Sequence, residues 1–395
     1  ISDPEHEWDS RINYKRYNFT SNVDVNLHPT TILKLNIGNP APFGFNAPEE
    51  VILDMRQSLW ECQGYSDSKG LFSARKAIMQ YCQLKKIPGV TMDDIYTGNG
   101  VSELINLSMQ ALLNDGDEIL IPAPDYPLWT ATATLAGGKV VHYICDEESD
   151  WNPDIADIRS KITDKTKAIV IINPNNPTGA IMEKKDLEEI AEVIKEHDIF
   201  VLSDEIYAEL TYCGEHVSIA SLPGMKERTV LINGFSKAYA MTGWRLGYAC
   251  GPRVIIEQML KIHQFAIMCA PTTSQYAAIS ALRNGDDDVM KMREEYNERR
   301  RYLVHRFKEM GLQCFEPFGA FYIFPSIQEF GMTSEEFANR FLREEKVAVV
   351  PGTAFGACGE GFLRISYAYS LDNLKMALER LEHFIAHLRE EKKNG

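Results

Sequence analysis

The chain has 395 residues, of which 45% are hydrophobic and 25% are charged, as is usual for a globular protein of one large or two smaller domains. Its formal net charge of −15 argues against a general nucleic-acid-binding or anionic-membrane surface, because both need clustered lysine and arginine. Small molecules are therefore the expected partners.

The start of the chain shows no basic segment followed by an apolar stretch, so no signal peptide is expected, and no segment reaches the length of a membrane span. The eight cysteines are scattered and never form a CxxC pair. This pattern favours reduced thiols in a cytoplasmic protein, and no metal site is predicted. The first thirty or so residues have no clear periodicity and are predicted to be an arm.

Short apolar runs then alternate with amphipathic helical stretches, the pattern of a mostly parallel sheet covered by helices. The candidate strands are residues 95–97, 118–122, 140–144, 168–172, 200–202, 230–232 and 246–249. Between two of them, apolar residues at positions 187, 190, 191 and 194 follow the period of a helix. We predict a doubly wound α/β sheet, in which ligands bind beyond the carboxyl ends of the strands.

The run Gly98-Asn-Gly-Val-Ser-Glu103 follows the first strand and opens an apolar-periodic helix. Backbone N–H groups of Gly100, Val101 and Ser102 would then point at an anion such as a phosphate, although a plain glycine turn is the alternative. The run is neither the GxGxxG fingerprint nor a P-loop. Tyr126 follows the next strand, where its face could stack on a flat heterocycle or simply belong to the core.

Two further strands are followed by polar residues. Asn176 lies in an Asn-Pro-Thr-Gly turn and supplies an amide donor. Asp204 ends its strand, where a carboxylate could keep a pyridine nitrogen protonated, and Tyr207 could donate to the phenolate oxygen of the same ring. Taken alone, Asp204 and Glu205 could also be an ordinary acidic pair.

Lys237 follows the strand 230–232 closely, so its amine can reach the carboxyl edge of the sheet and hold a cofactor aldehyde as a Schiff base. A lone lysine in such a place is usually a solvated surface residue. Arg245 changes this interpretation, because a buried guanidinium beside the Ser236 hydroxyl would offer charge-assisted donors for a phosphate. The ordered set therefore predicts a pyridoxal-phosphate site.

After about residue 290 the pattern changes to a long charged helix around 290–310, an apolar segment at 319–325 and two helices at 334–344 and 371–389. Arg364 lies in an apolar strand of this region, where its planar fork suits a substrate α-carboxylate, with an internal salt bridge as the alternative. We predict an arm at 1–32, a large cofactor-binding domain at 48–290 and a small α+β domain formed by 33–47 with 291–395.

With these residues in place, the chain from about 33 to 388 resembles the fold-type I, class I aminotransferases, which use pyridoxal 5′-phosphate. The resemblance implies that Lys237 binds the cofactor and shuttles protons, with Asp204 at the ring nitrogen. It implies further cofactor contacts for the ring oxygen from Tyr207 and Asn176, for stacking from Tyr126, and for the phosphate from Ser236, Arg245 and the backbone of Gly100, Val101 and Ser102.

The same resemblance assigns residues around the substrate. Arg364 would grip the α-carboxylate, and Gly38 would line the substrate pocket. Tyr65 would reach the phosphate of the partner subunit, which makes a homodimer functionally necessary. Two departures stand out: Gly234 replaces the phosphate-binding serine of the family, and Arg11 or Arg16 only loosely match an arginine-bearing turn that could bind a distal carboxylate.

The substrate is less closely defined. Residues 33–179 are most similar to bacterial glutamate-pyruvate transaminases, whereas residues 203–248 are more similar to aspartate and aromatic aminotransferases. The resemblance thus implies transamination between a small L-amino acid, alanine or aspartate, and 2-oxoglutarate, giving a 2-oxo acid and L-glutamate. The alternatives are an aromatic amino acid aminotransferase or a C-S lyase that performs β-elimination on the same cofactor. A cofactor-sensing regulator is disfavoured, because the N-terminal segment is too short for a basic DNA-binding region.

Overall fold

The computed structural model describes residues 32–394 of the chain. The predicted arm therefore lies outside the described residues, apart from residue 32, and so do Arg11 and Arg16. Among the helices of the described part, none combines the length and the apolar character that crossing a membrane requires.

Strands and helices alternate along most of this region. The strands are β1 (Leu33–Lys34), β2 (Ile95–Gly98), β3 (Glu118–Ala123), β4 (Lys139–Ile144), β5 (Thr166–Ile172), β6 (Phe200–Asp204), β7 (Thr229–Gly234), β8 (Gly247–Cys250), β9 (Tyr322–Ile323), β10 (Val347–Ala348), β11 (Val350–Pro351) and β12 (Leu363–Ser366). The helices are α1 (Glu49–Gln57), α2 (Phe72–Leu84), α3 (Val101–Leu112), α4 (Leu128–Leu135), α5 (Ile155–Lys161), α6 (Lys184–His197), α7 (Arg253–Ala266), α8 (Thr272–Asn284), α9 (Asp286–Met310), α10 (Ser334–Glu345) and α11 (Leu371–Asn394).

A seven-stranded sheet in the order β2-β8-β7-β6-β5-β3-β4 forms the centre of the fold. Its neighbouring strands pair in parallel except at β8, which runs antiparallel to both β2 and β7. The predicted mostly parallel α/β sheet is confirmed, and its seven strands match the seven predicted segments. Several strands extend beyond the apolar runs, because backbone pairing continues into polar residues such as Ser203 and Asp204.

Three neighbouring parallel strands end at one edge of this sheet. β5 and β6 pair Ile172 with Asp204, and β6 and β7 pair Asp204 with Ile232, so the loops after these strands start side by side. β8 begins at the same edge, where Gly247 pairs with Gly234 of β7. β2 ends beside the start of β8, which adds the N-terminus of α3 to this edge. The segments that carry the predicted site therefore converge.

The helix α6 illustrates how the sequence selects a helix and its ends. Its apolar residues at 187, 190, 191 and 194 are all buried, as the period predicted. The helix starts at a capping box, in which the side chains of Glu183 and Asp186 each accept the backbone N–H of the other. It ends at Asp198, which takes up the left-handed conformation at φ 50°.

A separate apolar cluster joins the N-terminal part of the described chain to its C-terminal third. It contains Leu33 and Leu35 together with buried residues of α9, α10 and α11. β1 pairs in parallel with β10, and β11, β12 and β9 form an antiparallel sheet. This packing supports a small domain of 33–47 with 291–395, but Ile206 and Tyr207 join the same cluster. The domain boundaries therefore stay a prediction.

Shortening a leucine of this cluster tests its packing. Leu378 on α11 is 1% exposed, whereas Leu84 at the end of α2 is 79% exposed. We expect Leu378→Ala to lower the free energy of unfolding by roughly 2–5 kcal/mol, because it removes buried carbon atoms and leaves a cavity. The control Leu84→Ala should change it by less than about 0.5 kcal/mol. Urea denaturation followed by circular dichroism measures both, and equal losses would contradict the packing of α11.

Candidate active site

A cavity of about 530 Å³ opens at the edge where the strands end. Eleven of the predicted site residues line it: Gly38, Val101, Ser102, Tyr126, Asn176, Asp204, Tyr207, Ser236, Lys237, Arg245 and Arg364. Other lining residues, among them Asn39, Thr242 and Tyr322, were not predicted. The structure thus brings residues from eight separate stretches of sequence into one space.

Lys237 presents its amine to this cavity. Its Nζ donates a hydrogen bond to the Gly38 carbonyl oxygen at 2.7 Å. Burial, followed by the positive charges of Arg364 and Arg245, lowers the pKa of Lys237 to about 8, against the opposing effect of Asp204. A larger fraction of neutral, nucleophilic amine is therefore present near neutral pH than for an ordinary lysine.

Asp204 is anchored at the end of β6. The Trp129 indole Nε1 donates to its Oδ2 at 3.2 Å, and the backbone N–H of Ile206 donates to its Oδ1 at 3.2 Å. Burial raises the pKa of Asp204 to about 6, and these two donors limit the rise. Trp129 is fully buried on α4, and no sequence pattern predicted its role, because an indole in an apolar helix is typical of a core residue.

Arg364 is held between two rings and two hydrogen-bond acceptors. Its Nη1 donates to Asn176 Oδ1 and its Nη2 to the Asn36 carbonyl, each at 3.1 Å. The Cζ atom lies 4.3 Å from the ring centroid of Tyr322 and 4.7 Å from that of Phe355. Its buried Nε has no hydrogen-bond partner among the described residues, and no acidic side chain of 32–394 pairs with it. The arrangement leaves donors for a carboxylate and speaks against the internal salt bridge.

Tyr207 also reaches the cavity, where its hydroxyl lies 3.0 Å from the hydroxyl of Tyr322. Burial raises the pKa of Tyr207 well above its usual range, so this side chain stays a neutral hydrogen-bond donor. The sequence did not predict a role for Tyr322, since this residue lies in an apolar segment with no polar pattern.

Gly100, which precedes the first residue of α3, is not among the residues that line the cavity, but it contacts Arg245, which does line it. Gly100 takes φ 80°, and a Cβ there would lie 2.6 Å from Nη2 of Arg245, so the guanidinium packs directly on this glycine. Arg245 Nη1 donates to the Thr242 carbonyl at 3.1 Å. The expectation of a buried guanidinium is wrong for the single chain: Arg245 is exposed, because the short turn before it carries it to the cavity mouth.

Gly234 stands where the resemblance implied a serine, and the surrounding backbone leaves no room for a side chain. A Cβ at Gly234 would lie 2.9 Å from the Leu246 carbonyl oxygen and 3.0 Å from Gly247 Cα. Ser236 is half-buried and lines the cavity instead. Tyr65 is 84% exposed and does not line the cavity of its own chain.

These groups fit pyridoxal 5′-phosphate. A carboxylate that an indole and a backbone N–H orient suits a ring nitrogen, and a side-chain-free helix start beneath a guanidinium suits a phosphate. An amine with a lowered pKa lines the same cavity. Fold and site together define the class of pyridoxal-phosphate-dependent enzymes built on a mostly parallel sheet.

Comparison with known proteins identifies the family. A family model described as aminotransferase class I and II matches residues 30–381. The glutamate-pyruvate aminotransferase AlaA of Haemophilus influenzae is 45% identical over 372 residues, which cover 91% of this chain and 92% of that protein. The aspartate aminotransferase of Pyrococcus abyssi is 43% identical over 368 residues, with coverages of 91% and 92%. The structure of the aromatic aminotransferase from Pyrococcus horikoshii is similar at a TM-score of 0.88 and 40% identity, covering 93% of this chain and 97% of that chain.

The chain therefore belongs to the class I and II aminotransferase family. It is an aminotransferase that uses pyridoxal 5′-phosphate and acts on amino acids and 2-oxo acids.

The lowered pKa of Lys237 is testable in the cofactor-free protein. We expect its labelling by an amine-selective reagent, followed by peptide mass spectrometry, to rise with a midpoint near pH 8, whereas surface lysines as a group rise near pH 10.4. Arg364→Gln should move the midpoint upward, because a neighbouring positive charge is lost, and Asp204→Asn should move it downward. Shifts of the same sign in both variants would contradict this electrostatic account.

Proposed function

We propose that the protein transfers the amino group between a small L-amino acid, alanine or aspartate, and 2-oxoglutarate, giving a 2-oxo acid and L-glutamate. The observation that carries the proposal is one cavity holding both the Lys237 amine and an Arg364 guanidinium with uncommitted donors. The names of two relatives, a glutamate-pyruvate and an aspartate aminotransferase, support these substrates.

Lys237 is assigned the proton transfer. Pyridoxal 5′-phosphate, when bound, supplies an aldehyde carbon that exchanges amino groups and a ring that accepts electrons. Lys237 would hold that aldehyde in the resting enzyme. When a substrate amine replaces it, the released Nζ is free to take the proton from the substrate Cα and return it. The lowered pKa of Lys237 favours this role, because only the neutral amine accepts a proton.

The ring of the cofactor would be held by four side chains of the cavity. Asp204 would keep the ring nitrogen protonated, and Tyr126, 36% exposed on the cavity wall, would stack on the ring. Tyr207 and Asn176 would donate to the ring oxygen. Asn176 is suited to this because Arg364 occupies its Oδ1, which leaves the amide NH2 group as the donor.

The phosphate would be held at the other end of the cavity, by Ser236, by Arg245 and by the backbone N–H groups from Gly100 to Ser102. Within residues 32–394 no side chain caps the start of α3, which leaves the N–H groups of Val101 and Ser102 without such an acceptor, whereas the Gly100 N–H already donates to the Gly98 carbonyl oxygen at 2.8 Å. The Arg245 guanidinium, which packs on Gly100, supplies the positive charge.

The substrate α-carboxylate would bind Arg364, with Gly38 lining the pocket. The three cationic side chains that line the cavity within 32–394 are Lys237, Arg245 and Arg364, and each has a role in this proposal. Alanine needs no further cation, which favours it over aspartate as the partner of glutamate. The distal carboxylate of glutamate would rely on neutral donors or on residues beyond the described part of the chain.

We also propose a homodimer in which Tyr65 reaches the phosphate of the partner subunit. Tyr65 is not among the residues that line its own cavity, and Trp60 and Phe265 are, like it, exposed, at 82% and 94%, as residues that cover an interface would be in a single chain. A cytoplasmic location is proposed as well, and the eight free cysteines support it.

We further propose the division into a large domain of 48–290 and a small domain of 33–47 with 291–395, which the shared apolar cluster supports.

The half-reaction tests the function first. Adding L-glutamate alone to the yellow enzyme should convert the visible band of the bound cofactor to the amine form, with release of 2-oxoglutarate. Pyruvate should restore the band if alanine is the other partner, and oxaloacetate if aspartate is. Lys237→Ala should abolish repeated turnover, and Lys226→Ala is the matched lysine control, because Lys226 lies in the turn before β7 whereas Lys237 follows the other end of that strand. Pyruvate and ammonia or sulfide released from cysteine or cystathionine, without any response to glutamate, would favour the C-S lyase instead.

Shared active sites can be tested by mixing subunits. Tyr65→Ala and Lys237→Ala should each lower activity, because one weakens phosphate binding in the partner's site and the other removes the reactive amine. When the two variants are coexpressed, a mixed dimer contains one site in which both residues are intact. Activity above the sum of the two separate variants is expected at equal protein concentration. No gain, despite mixed dimers seen by native mass spectrometry, would place Tyr65 outside the partner's site.

A further inference from the structure

Tyr322 on β9 lines the cavity, although no sequence pattern singled it out. Its side chain is 2% exposed and lines the cavity with Tyr207 and Arg364. Its hydroxyl lies 3.0 Å from the Tyr207 hydroxyl, and its ring centroid lies 4.3 Å from Cζ of Arg364. One residue therefore touches both the group proposed for the ring oxygen and the group proposed for the substrate carboxylate.

The role proposed for Tyr207 determines which of the two phenol hydroxyls donates the hydrogen bond between them. Each hydroxyl carries one hydrogen, so a Tyr207 that donates to the cofactor ring oxygen can only accept from Tyr322. Among residues 32–394, Tyr207 is the hydrogen-bond partner found for the Tyr322 hydroxyl. A hydrogen donated to Tyr207 polarises its O–H bond and strengthens the hydrogen bond that Tyr207 gives in turn.

Because Gly38 has no side chain, the Tyr322 hydroxyl fits against its backbone. A Cβ at Gly38 would lie 2.1 Å from that oxygen, so any side chain would push the hydroxyl from its place beside Tyr207. The Gly38 carbonyl also accepts the hydrogen bond from Lys237 Nζ. The hydroxyl is thus confined between a glycine backbone and the phenol that it orients.

We propose that Tyr322 is a positioning residue for the reaction: its hydroxyl aims the Tyr207 hydroxyl at the cofactor ring oxygen, while its ring supports the Arg364 guanidinium. This inference rests on the proposed function, in which Tyr207 contacts the ring oxygen. Tyr322→Phe separates the two contributions, because phenylalanine keeps the ring against Arg364 and loses only the hydroxyl.

Tyr322→Phe should raise the pKa of the proton that the ring oxygen and the Lys237 nitrogen share in the resting enzyme. A hydrogen bond donated to the ring oxygen stabilises its anionic state, so a weaker bond favours the protonated state. The visible band of the bound cofactor follows this proton, and its midpoint should move upward by roughly 0.3–1 pH unit, the effect of one neutral hydrogen bond. The KM for the amino acid should change by less than about twofold, since the ring beneath Arg364 remains.

Two further variants make the test specific. Tyr207→Phe should shift the midpoint in the same direction and further, and the double variant Tyr207→Phe/Tyr322→Phe should match Tyr207→Phe alone, because Tyr322 acts through Tyr207. Tyr367→Phe is the matched control: it removes another buried phenol hydroxyl, which donates to the Ala320 carbonyl at 3.2 Å, and should leave the midpoint in place.

The outcomes separate the inference from the function beneath it. An unshifted midpoint in Tyr322→Phe beside a shifted one in Tyr207→Phe would overturn the inference and leave the proposed function standing. Additive shifts in the double variant would do the same, since Tyr322 would then act independently of Tyr207. An unshifted midpoint in Tyr207→Phe would overturn both the inference and the role proposed for Tyr207.

Discussion

The backbone pairing of Asp204 with Ile172 on one side and Ile232 on the other is the constraint on which the site depends. Because the three strands are parallel, this register fixes where three loops begin and makes them converge at one edge. A shift by one residue would turn Asp204 to the opposite face of the sheet and separate it from the Trp129 indole. The carboxylate is therefore positioned by the pairing of three central strands, and the loops that carry other groups of the site begin at the ends of these strands.

Burial at this edge makes the charged groups act on one another. Burial, followed by the positive charges of Arg364 and Arg245, lowers the pKa of Lys237 to about 8, and Asp204 opposes that effect. The pKa of Asp204 itself rises only to about 6, because an indole and a backbone N–H donate to its oxygens. At pH 7 the cavity thus contains an ionised carboxylate and an amine whose neutral form is accessible. Neither state would follow from the side-chain types alone, since each depends on the partners that the fold supplies.

Sequence patterns predicted the central sheet because buried parallel strands are continuous apolar runs, whereas two-residue strands such as β9 and β11 are too short to show any period. Lys237, Asp204 and Arg364 could be singled out, because each is a charged residue within, at the end of or shortly after a strand that the hydrophobic pattern predicts. Trp129 and Tyr322 could not, because each is an aromatic in an apolar run, and only tertiary packing brings its polar atom to a partner. The hydrogen bonds made by buried aromatic side chains are thus the part of this site that the sequence does not predict.

The segment between β7 and β8 keeps two residues with side chains in the left-handed region, Ala240 at φ 51° and Arg245 at φ 55°. Each such residue costs on the order of 1–2 kcal/mol. Glycine would relieve the strain, but Ala240 packs its methyl group in the apolar cluster that also contains Tyr207, and Arg245 sets its guanidinium over the start of α3. The left-handed conformations of Ala240 and Arg245 reverse the chain direction between β7 and β8, so that Lys237 and Arg245 line the same cavity from one short segment. The strained residues therefore lie in the segment that brings the Lys237 amine and the Arg245 guanidinium to the same cavity. The antiparallel pairing of β7 with β8 fixes both ends of this segment and so stabilises the strained conformation.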